Sequence, residues 1–149
     1  NPSPNFTTKS ILYNNGIANV KIPKSTLNNS YYITVNHRNS VETWSALPIL
    51  ISDTITTYDF TTGLDKAYGD GFNAPMKNMG GNVYALYSGN VDQDGTIDIN
   101  DMSNTENDAF NFAYGYNATD CNGDGATDAL DMQIIENNSL LQLSTAIPF

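Results

Sequence analysis

Twelve residues in two short stretches are spaced so that an oxygen of each could face a common point, six to a stretch. The first stretch runs from Asn90 to Asp101 and the second from Asp120 to Asp131. Counting each as a twelve-residue loop, side-chain oxygens stand at positions 1, 3, 5, 9 and 12, with Gly at position 6. In loop 1 these are Asn90, Asp92, Asp94, Asp98 and Asp101; in loop 2 they are Asp120, Asn122, Asp124, Asp128 and Asp131. Position 7, Thr96 or Ala126, would offer its backbone carbonyl. This is the spacing of an EF-hand calcium loop. Calcium is a hard cation that takes about six to eight oxygens, and alternate residues of a tight turn can aim at one point. Gly95 and Gly125 allow the sharp bend that a Cβ would obstruct. Position 9 usually works through water, and position 12 closes the cage from the first turn of a helix. Two calcium ions are therefore the expected cofactors.

The two copies stand 30 residues apart, and the repeat outlasts the loops. Residues 94, 95, 98, 101, 102, 106 and 107 are identical to 124, 125, 128, 131, 132, 136 and 137, so each helix opens Asp-Met-x-x-x-Glu-Asn. Met102, Thr105 and Ala109, and Met132 and Ile135, give weakly apolar helical stripes. Phe110 and Phe112 are expected to close the core between the loops, and Leu140, Leu141 and Leu143 to dock back as a clasp. No apolar-periodic helix leads into loop 1; Val83-Tyr84-Ala85-Leu86-Tyr87 reads as a strand.

The charge of the chain is divided in the same way. Residues 1–77 hold six basic and five acidic residues, a net +1, whereas residues 78–149 hold eleven acids and no Lys or Arg, a net −11. An acidic half of this kind repels itself without counter-charge, and two divalent ions would supply it where the carboxylates crowd most. Duplex nucleic acid is not an expected partner, since it needs basic surface. No run of about 18 apolar residues is present to span a membrane. Cys121 is alone and can form no internal disulfide. One His, one Cys and no Gly-x-Ser-x-Gly motif leave no catalytic set, so a non-enzymatic protein is expected. The Asn-Pro-Ser-Pro start has the look of a processed or trimmed end, with no signal peptide in the sequence.

Ahead of the loops the segments are short, aromatic and β-branched. Ile17–Ile22 alternates and Pro23 closes it. In residues 31–38 Tyr31, Ile33, Val35 and His37 share one face of a strand, opposite Tyr32, Thr34, Asn36 and Arg38. Leu47–Ile51 and Ile55–Phe60 flank Ser52-Asp53 as a hairpin candidate, and residues 61–81 read as a long loop. The pattern predicts a mainly β chain with a small α part: an Ig-like antiparallel β-sandwich over residues 1–88 and a calcium-binding module over 89–149, packed rigidly with no Gly/Ser linker.

A duplicated loop-then-helix unit with Asp, not Glu, at position 12 resembles the dockerin module. The run Tyr31-Tyr32-Ile33-Thr34-Val35-Asn36-His37-Arg38-Asn39-Ser40-Val41-Glu42-Thr43-Trp44-Ser45, with Tyr58-Asp59-Phe60-Thr61-Thr62, Lys66-Ala67-Tyr68-Gly69 and Tyr87-Ser88-Gly89-Asn90, is similar to the C-terminal β-sandwich plus dockerin-like module of large secreted Bacteroidetes-type bacterial proteins. The resemblance covers residues 3–138 and implies secretion to the cell exterior or surface, calcium, and a non-catalytic appended module. Against that pattern the chain begins one or two apolar strands late, so the sandwich is expected to lack its first strand or strands and to present an edge. A neighbouring chain could fill that groove, with residues 5–14 as donor strand, building a multimer or filament. The expected partner is thus another copy or another secreted protein.

Two other functions stay open. A dockerin proper would present Glu106-Asn107 and Glu136-Asn137 to a cohesin-like receptor, and a carbohydrate-binding module would use Trp44 and the nine tyrosines. His37, and Arg38 stacked on an aromatic ring or paired with Glu42, are expected to be structural. The resemblance also makes Asp53-Thr54-Ile55 a candidate O-glycosylation signal with the glycan on Thr54. The Asn-x-Ser/Thr sequons at Asn5, Asn28, Asn117 and Asn137 are expected to be unused in a bacterial protein.

Overall fold

The computed structural model describes residues 4–52, 55–69 and 76–148. The Asp53-Thr54 glycosylation candidate lies outside them. The chain is mainly small β-pairings with two helices, as its composition leads one to expect. Among the described residues three antiparallel pairs form: β1 (Ser30–Tyr31) with β4 (Ile49–Leu50), β2 (Thr34–Val35) with β3 (Thr43–Trp44), and β5 (Lys77–Gly80) with β6 (Val83–Ala85). Short 3-10 turns cover Lys24–Thr26, Phe60–Thr62 and Leu64–Lys66. The helices are α1 (Ile99–Phe110) and α2 (Ala129–Ser139), and they pack against each other. No helix among the described residues is long and apolar enough to cross a membrane.

The alternation of residues 31–38 survives only in part. Tyr31, Ile33, Val35 and His37 are half-buried and Thr34 and Asn36 exposed, but Tyr32 and Arg38 on the opposite face are half-buried too. The run is also split between β1 and β2, which have different partners. Two local expectations fail. Ile49–Leu50 pairs with Ser30–Tyr31 instead of turning back on residues 55–60, where residues 55–59 carry no ladder. Within 61–81, Lys77–Gly80 is a strand, folded onto Val83–Ala85. Both pairings bring together backbone groups whose partners sequence alternation alone cannot name.

The strongest core lies in the second half. Val91, Ile97, Ile135 and Leu143 are buried together, with Tyr87, Met102, Ala118 and Cys121 packed around them. Val41 from the strand half joins the same cluster, so one apolar core spans both halves. Gly89 makes this approach possible: it has φ +123°, and a Cβ there would come within 3.1 Å of Ile97 Cγ2. Val41 N–H donates to Tyr87 O (3.0 Å), and buried Asn138 of α2 donates through Nδ2 to Ser88 O (2.7 Å).

Of the residues expected to close this core, only part does so. Leu143 is buried, but Leu140 and Leu141 are exposed, and so are Phe110 and Phe112. Phe112 takes a left-handed backbone (φ +53°), which turns the chain back after α1. Gln142, 30 residues on, has the same φ of +53° after α2. The core place is filled instead by the returning segment, through Leu143.

Residues 4–25 are the opposite case, since every one of them is exposed. They fold on themselves as a small turn: Leu12 bridges Ala18, Gly16 N–H donates to Tyr13 O (2.9 Å) and Ser10 Oγ donates to Asn19 O (2.7 Å). Ile11, Leu12, Tyr13, Ile17 and Val20 are each more than half exposed.

Candidate metal centre

Each loop begins at the end of an extended segment and finishes inside a helix. Asp98 and Asp128 are the helix N-caps: their Oδ1 atoms accept from Asn100 N and Leu130 N, both at 2.7 Å. Asp101 and Asp131 lie at the third helical residue and complete reciprocal capping boxes. Position 12 thus stands on the first helical turn, as the spacing requires.

These two carboxylates also tie the loops shut. Asp101 Oδ1 accepts from Val91 N (2.7 Å) and Asp92 N (3.3 Å), and Oδ2 accepts from Asp98 N (2.8 Å). Asp131 repeats the pattern with Cys121 N (2.8 Å), Asn122 N (3.0 Å) and Asp128 N (2.9 Å). Both side chains are fully buried, at 0% exposure. Burial, helped by the nearby Asp92 charge and opposed by the three N–H bonds, pushes the Asp101 carboxyl above the usual range. Cys121, at position 2, packs on the core, and burial pushes its thiol up to about 11.

The two units complete one another. The segment after α1 pairs with loop 2: Thr127 N donates to Ala113 O (3.0 Å) and Gly115 N to Gly125 O (2.7 Å). The segment after α2 pairs with loop 1: Ile97 N donates to Leu143 O (3.1 Å) and Thr145 N to Gly95 O (2.7 Å). The bridges Tyr114–Ala126 and Thr96–Ser144 are the same contact moved by 30 residues. The loops share backbone form as well, with positive φ at position 4 (Gln93, Gly123) and position 6 (Gly95, Gly125).

The structure brings all twelve sequence-derived residues into two closed loops but does not gather their carboxylates. Among the described residues no three His, Cys, Asp or Glu side chains are grouped to hold a metal ion. The side chains of positions 3 and 5 turn instead onto their own loop. Asp92 Oδ1 accepts from Asp94 N (3.1 Å), and Asp94 Oδ1 accepts from Thr96 N and Thr96 Oγ1 (both 2.8 Å). In loop 2, Asn122 Oδ1 accepts from Asp124 N (2.8 Å) and Asp124 Oδ1 from Ala126 N (2.9 Å). The Ala126 N–H bond first, and the Asn122 amide, which donates through Nδ2 to Asp124 Oδ2 (2.9 Å), hold the Asp124 carboxyl below its ordinary range.

Position 1 is the informative place. Asn90 is 2% exposed, and its Oδ1 is buried with no hydrogen-bond partner. A buried acceptor left without a donor costs about 1–3 kcal/mol, a cost that a donor or a cation at this place would relieve. Its place in loop 1, among acceptor-only carboxylates, fits a hard cation and not another hydrogen-bond acceptor. Asp120, the same position in loop 2, is satisfied: it accepts from Gly123 N (2.8 Å) and Gly125 N (3.3 Å) and lies 3.6 Å from the Arg38 guanidinium.

Arg38 and Asn39 contact the candidate loops in a way that loop spacing does not reveal. Arg38 stacks over Tyr116 at 4.4 Å, as an aromatic partner was expected for it, but its carboxylate neighbour is Asp120. Glu42 accepts instead from Trp44 Nε1 (2.9 Å). Asn39 is buried between the loops. Its backbone oxygen accepts from Gly89 N (2.7 Å) and Asn90 N (3.1 Å), and its Nδ2 donates to Asp120 O (3.0 Å). One residue of the strand half thereby ties the first residue of loop 1, through its backbone, to the first residue of loop 2, through its side chain.

His37 braces this clip through Nδ1 and Asn39 Oδ1, 3.1 Å apart. Burial first, and the Arg38 charge second, lower its pKa below the usual 6.5, against the Asn39 hydrogen bond. Because the folded pKa is depressed, the stabilisation from neutral His37 is complete above pH 6.5 and is lost as pH falls through the folded value. His37 is the chain's single histidine, so its imidazole proton signal titrates alone in an NMR experiment. The midpoint is expected below 6.5 and is expected to rise in R38Q. A midpoint at or above 6.5 would contradict the buried placement. No protein-family model, curated protein or solved structure matches this chain.

Proposed function

We propose that the chain is a non-catalytic, extracellular assembly module: two dockerin-like calcium loops stiffen its acidic half, and its strand half, a partial β-sandwich, joins a neighbouring copy. Asn90, Asp92, Asp94, Asp98 and Asp101 with the Thr96 carbonyl would hold one ion, and Asp120, Asn122, Asp124, Asp128 and Asp131 with the Ala126 carbonyl the other. Calcium supplies positive charge that lets these carboxylates stay close. The orphaned Asn90 Oδ1 supports this reading of loop 1.

The observation that carries the assembly reading is the N-terminal arm. Residues 4–25 are exposed throughout and hold Ile11, Leu12, Ile17, Val20 and Ile22 on a segment of strand-forming composition. An uncovered apolar segment of this size marks an interaction site. It also carries Lys9, Lys21 and Lys24 and no acid, whereas residues 78–149 carry eleven acids and no Lys or Arg. Phe110, Phe112 and Leu140 are exposed on that acidic half. The arm of one copy and the acidic half of the next are therefore complementary in charge and in apolar surface. A head-to-tail contact of this kind extends into a chain of copies when its rotation does not close.

The test is association of the intact chain in calcium, followed by light scattering and electron microscopy. Wild type is expected to form multimers that weaken as salt rises. The triple variant Ile11→Ser, Val20→Ser, Ile22→Ser is expected to stay folded and monomeric, because these side chains cover no core. Wild type that remains monomeric at high concentration would defeat the assembly reading. The exposed pairs Glu106-Asn107 and Glu136-Asn137 favour a second reading, docking of the helices on a receptor, which Asn107→Ala with Asn137→Ala would weaken while leaving the acidic charge used in self-association unchanged.

A further inference from the structure

We infer that the two loops are unequal: Arg38 is a resident cation for loop 2, so calcium is held more tightly by loop 1. This rests on the calcium reading proposed above. By residue type the loops are matched, with four carboxylates each: Asp92, Asp94, Asp98 and Asp101 against Asp120, Asp124, Asp128 and Asp131. Their difference lies in what the strand half brings to each.

At loop 2 it brings a fixed positive charge. Arg38 Nη2 donates to Asp120 O at 2.7 Å, and Nη1 donates to Asn117 O (3.0 Å) and Asp120 O (3.2 Å). The guanidinium lies 3.6 Å from Asp120 Oδ2 and stacks on the Tyr116 ring. The Arg38 side chain is 16% exposed and that of Asp120 4%, so solvent screens the pair weakly. Three hydrogen bonds to two carbonyls, and a ring, hold the guanidinium in place, so it cannot simply swing away when a metal arrives. A divalent ion entering loop 2 meets this charge, and it must share a position-1 carboxylate that already has two N–H donors and a guanidinium.

At loop 1 the strand half brings only neutral groups. The Asn39 carbonyl and the Ser40 carbonyl receive N–H bonds from Asn90 and from the Gln93 amide. Among the described residues the ion pairs are Arg38–Asp120 and Lys66–Asp65, and neither touches loop 1. Its position-1 oxygen, Asn90 Oδ1, is buried and unpartnered. Loop 1 thus has the unsatisfied acceptor and no competing cation. Loop 2 keeps much of its charge balance before any metal binds, and its affinity is lower for that reason.

Calorimetric calcium titration of the full chain tests this, with terbium luminescence as a second readout. Wild type is expected to bind two ions in separable steps. Asp94→Ala is expected to delete the tighter step and Asp124→Ala the weaker. R38Q is expected to tighten the weaker step on the order of tenfold and to leave the tighter one within about twofold, and R38K, which keeps the charge, is expected to stay near wild type. Circular dichroism in calcium checks that each variant is folded. If Asp94→Ala removes the weaker step, the ranking is overturned. If R38Q and R38K change loop 2 alike, or neither changes it, charge is not the cause and the inference fails. Failure of wild type to bind any calcium would overturn the proposed function along with it, whereas two ions bound in the reverse order would overturn the ranking alone.

Discussion

Removing calcium with EDTA is expected to lower the melting temperature by roughly 15–30 °C and to abolish amide protection across residues 90–145. A ligand present at about 1,000 times its dissociation constant stabilises the folded state by about 4 kcal/mol, so two such sites give about 8 kcal/mol, and each kcal/mol moves a domain of about 150 residues by about 2–4 °C. The structure shows why the loss should be concentrated there. Asp101 and Asp131 are fully buried, and each is held by backbone N–H groups of its own loop. Those bonds satisfy the oxygens but bring no positive charge, and uncompensated buried charge is costly. The half that contains them has a net charge of −11. Its apolar core, Val91, Ile97, Ile135 and Leu143, is contributed by loop 1, by α2 and by the segment that closes loop 1, so opening the loops disrupts the core. Strontium or terbium in place of calcium should restore the transition, because loops with only oxygen ligands, as proposed here, would select hard cations. A melting temperature unchanged in chelator would show that these loops stand without metal, and the function proposed for them would fall.

The loops and helices of the second half were legible in the sequence because their signals are local. Oxygen side chains at fixed spacing, Gly at the bend and a 30-residue repeat locate both loops and both helices, and Asp101 and Asp131 stand on the first helical turn as that spacing demands. Met102, Thr105, Met132 and Ile135 do face inward. What the repeat does not disclose is the exchange between its copies. That residues 113–115 close loop 2 and residues 143–145 close loop 1 depends on pairing at a distance, and no spacing rule within one unit encodes it.

The strand half was less legible for a related reason. Its ladders are two to four residues long, too short for alternation to fix a partner, so Ile49–Leu50 found Ser30–Tyr31 and not the residues after Asp53. Phe110 and Phe112 look like core by composition, yet the left-handed residue that reverses the chain leaves both outside. Arg38 was legible as an aromatic-stacking cation, but the choice of Asp120 over Glu42 spans 82 positions and needs the fold. Asn39 gave no signal at all. A single buried asparagine is unremarkable until its carbonyl and its amide are seen to meet the first residue of each loop.

The exchange between copies makes the C-terminal segment a lever on loop 1. Leu143→Ala is expected to destabilise the protein by about 2–5 kcal/mol, the range for truncating a buried leucine, while Leu140→Ala is expected to fall within about 0.5 kcal/mol of wild type. Leu143 is 4% exposed and packs with Val91, Ile97 and Ile135, whereas Leu140 is 76% exposed. Packing is only half of the effect. Leu143 O accepts from Ile97 N, and Thr145 N donates to Gly95 O, so this segment holds positions 6 and 8 of loop 1 in place. Loosening it relaxes the bend at Gly95 and the approach of the position-7 carbonyl, and calcium affinity should fall at loop 1 first. Loop 2 is closed by residues 113–115 and should keep its affinity. Urea unfolding of both variants gives the stability difference, and calcium titration shows which step weakens. Equal stability of the two variants would mean that Leu143 does not anchor the core. Loss confined to the loop 2 step would mean that each return segment serves its own loop instead of its partner's.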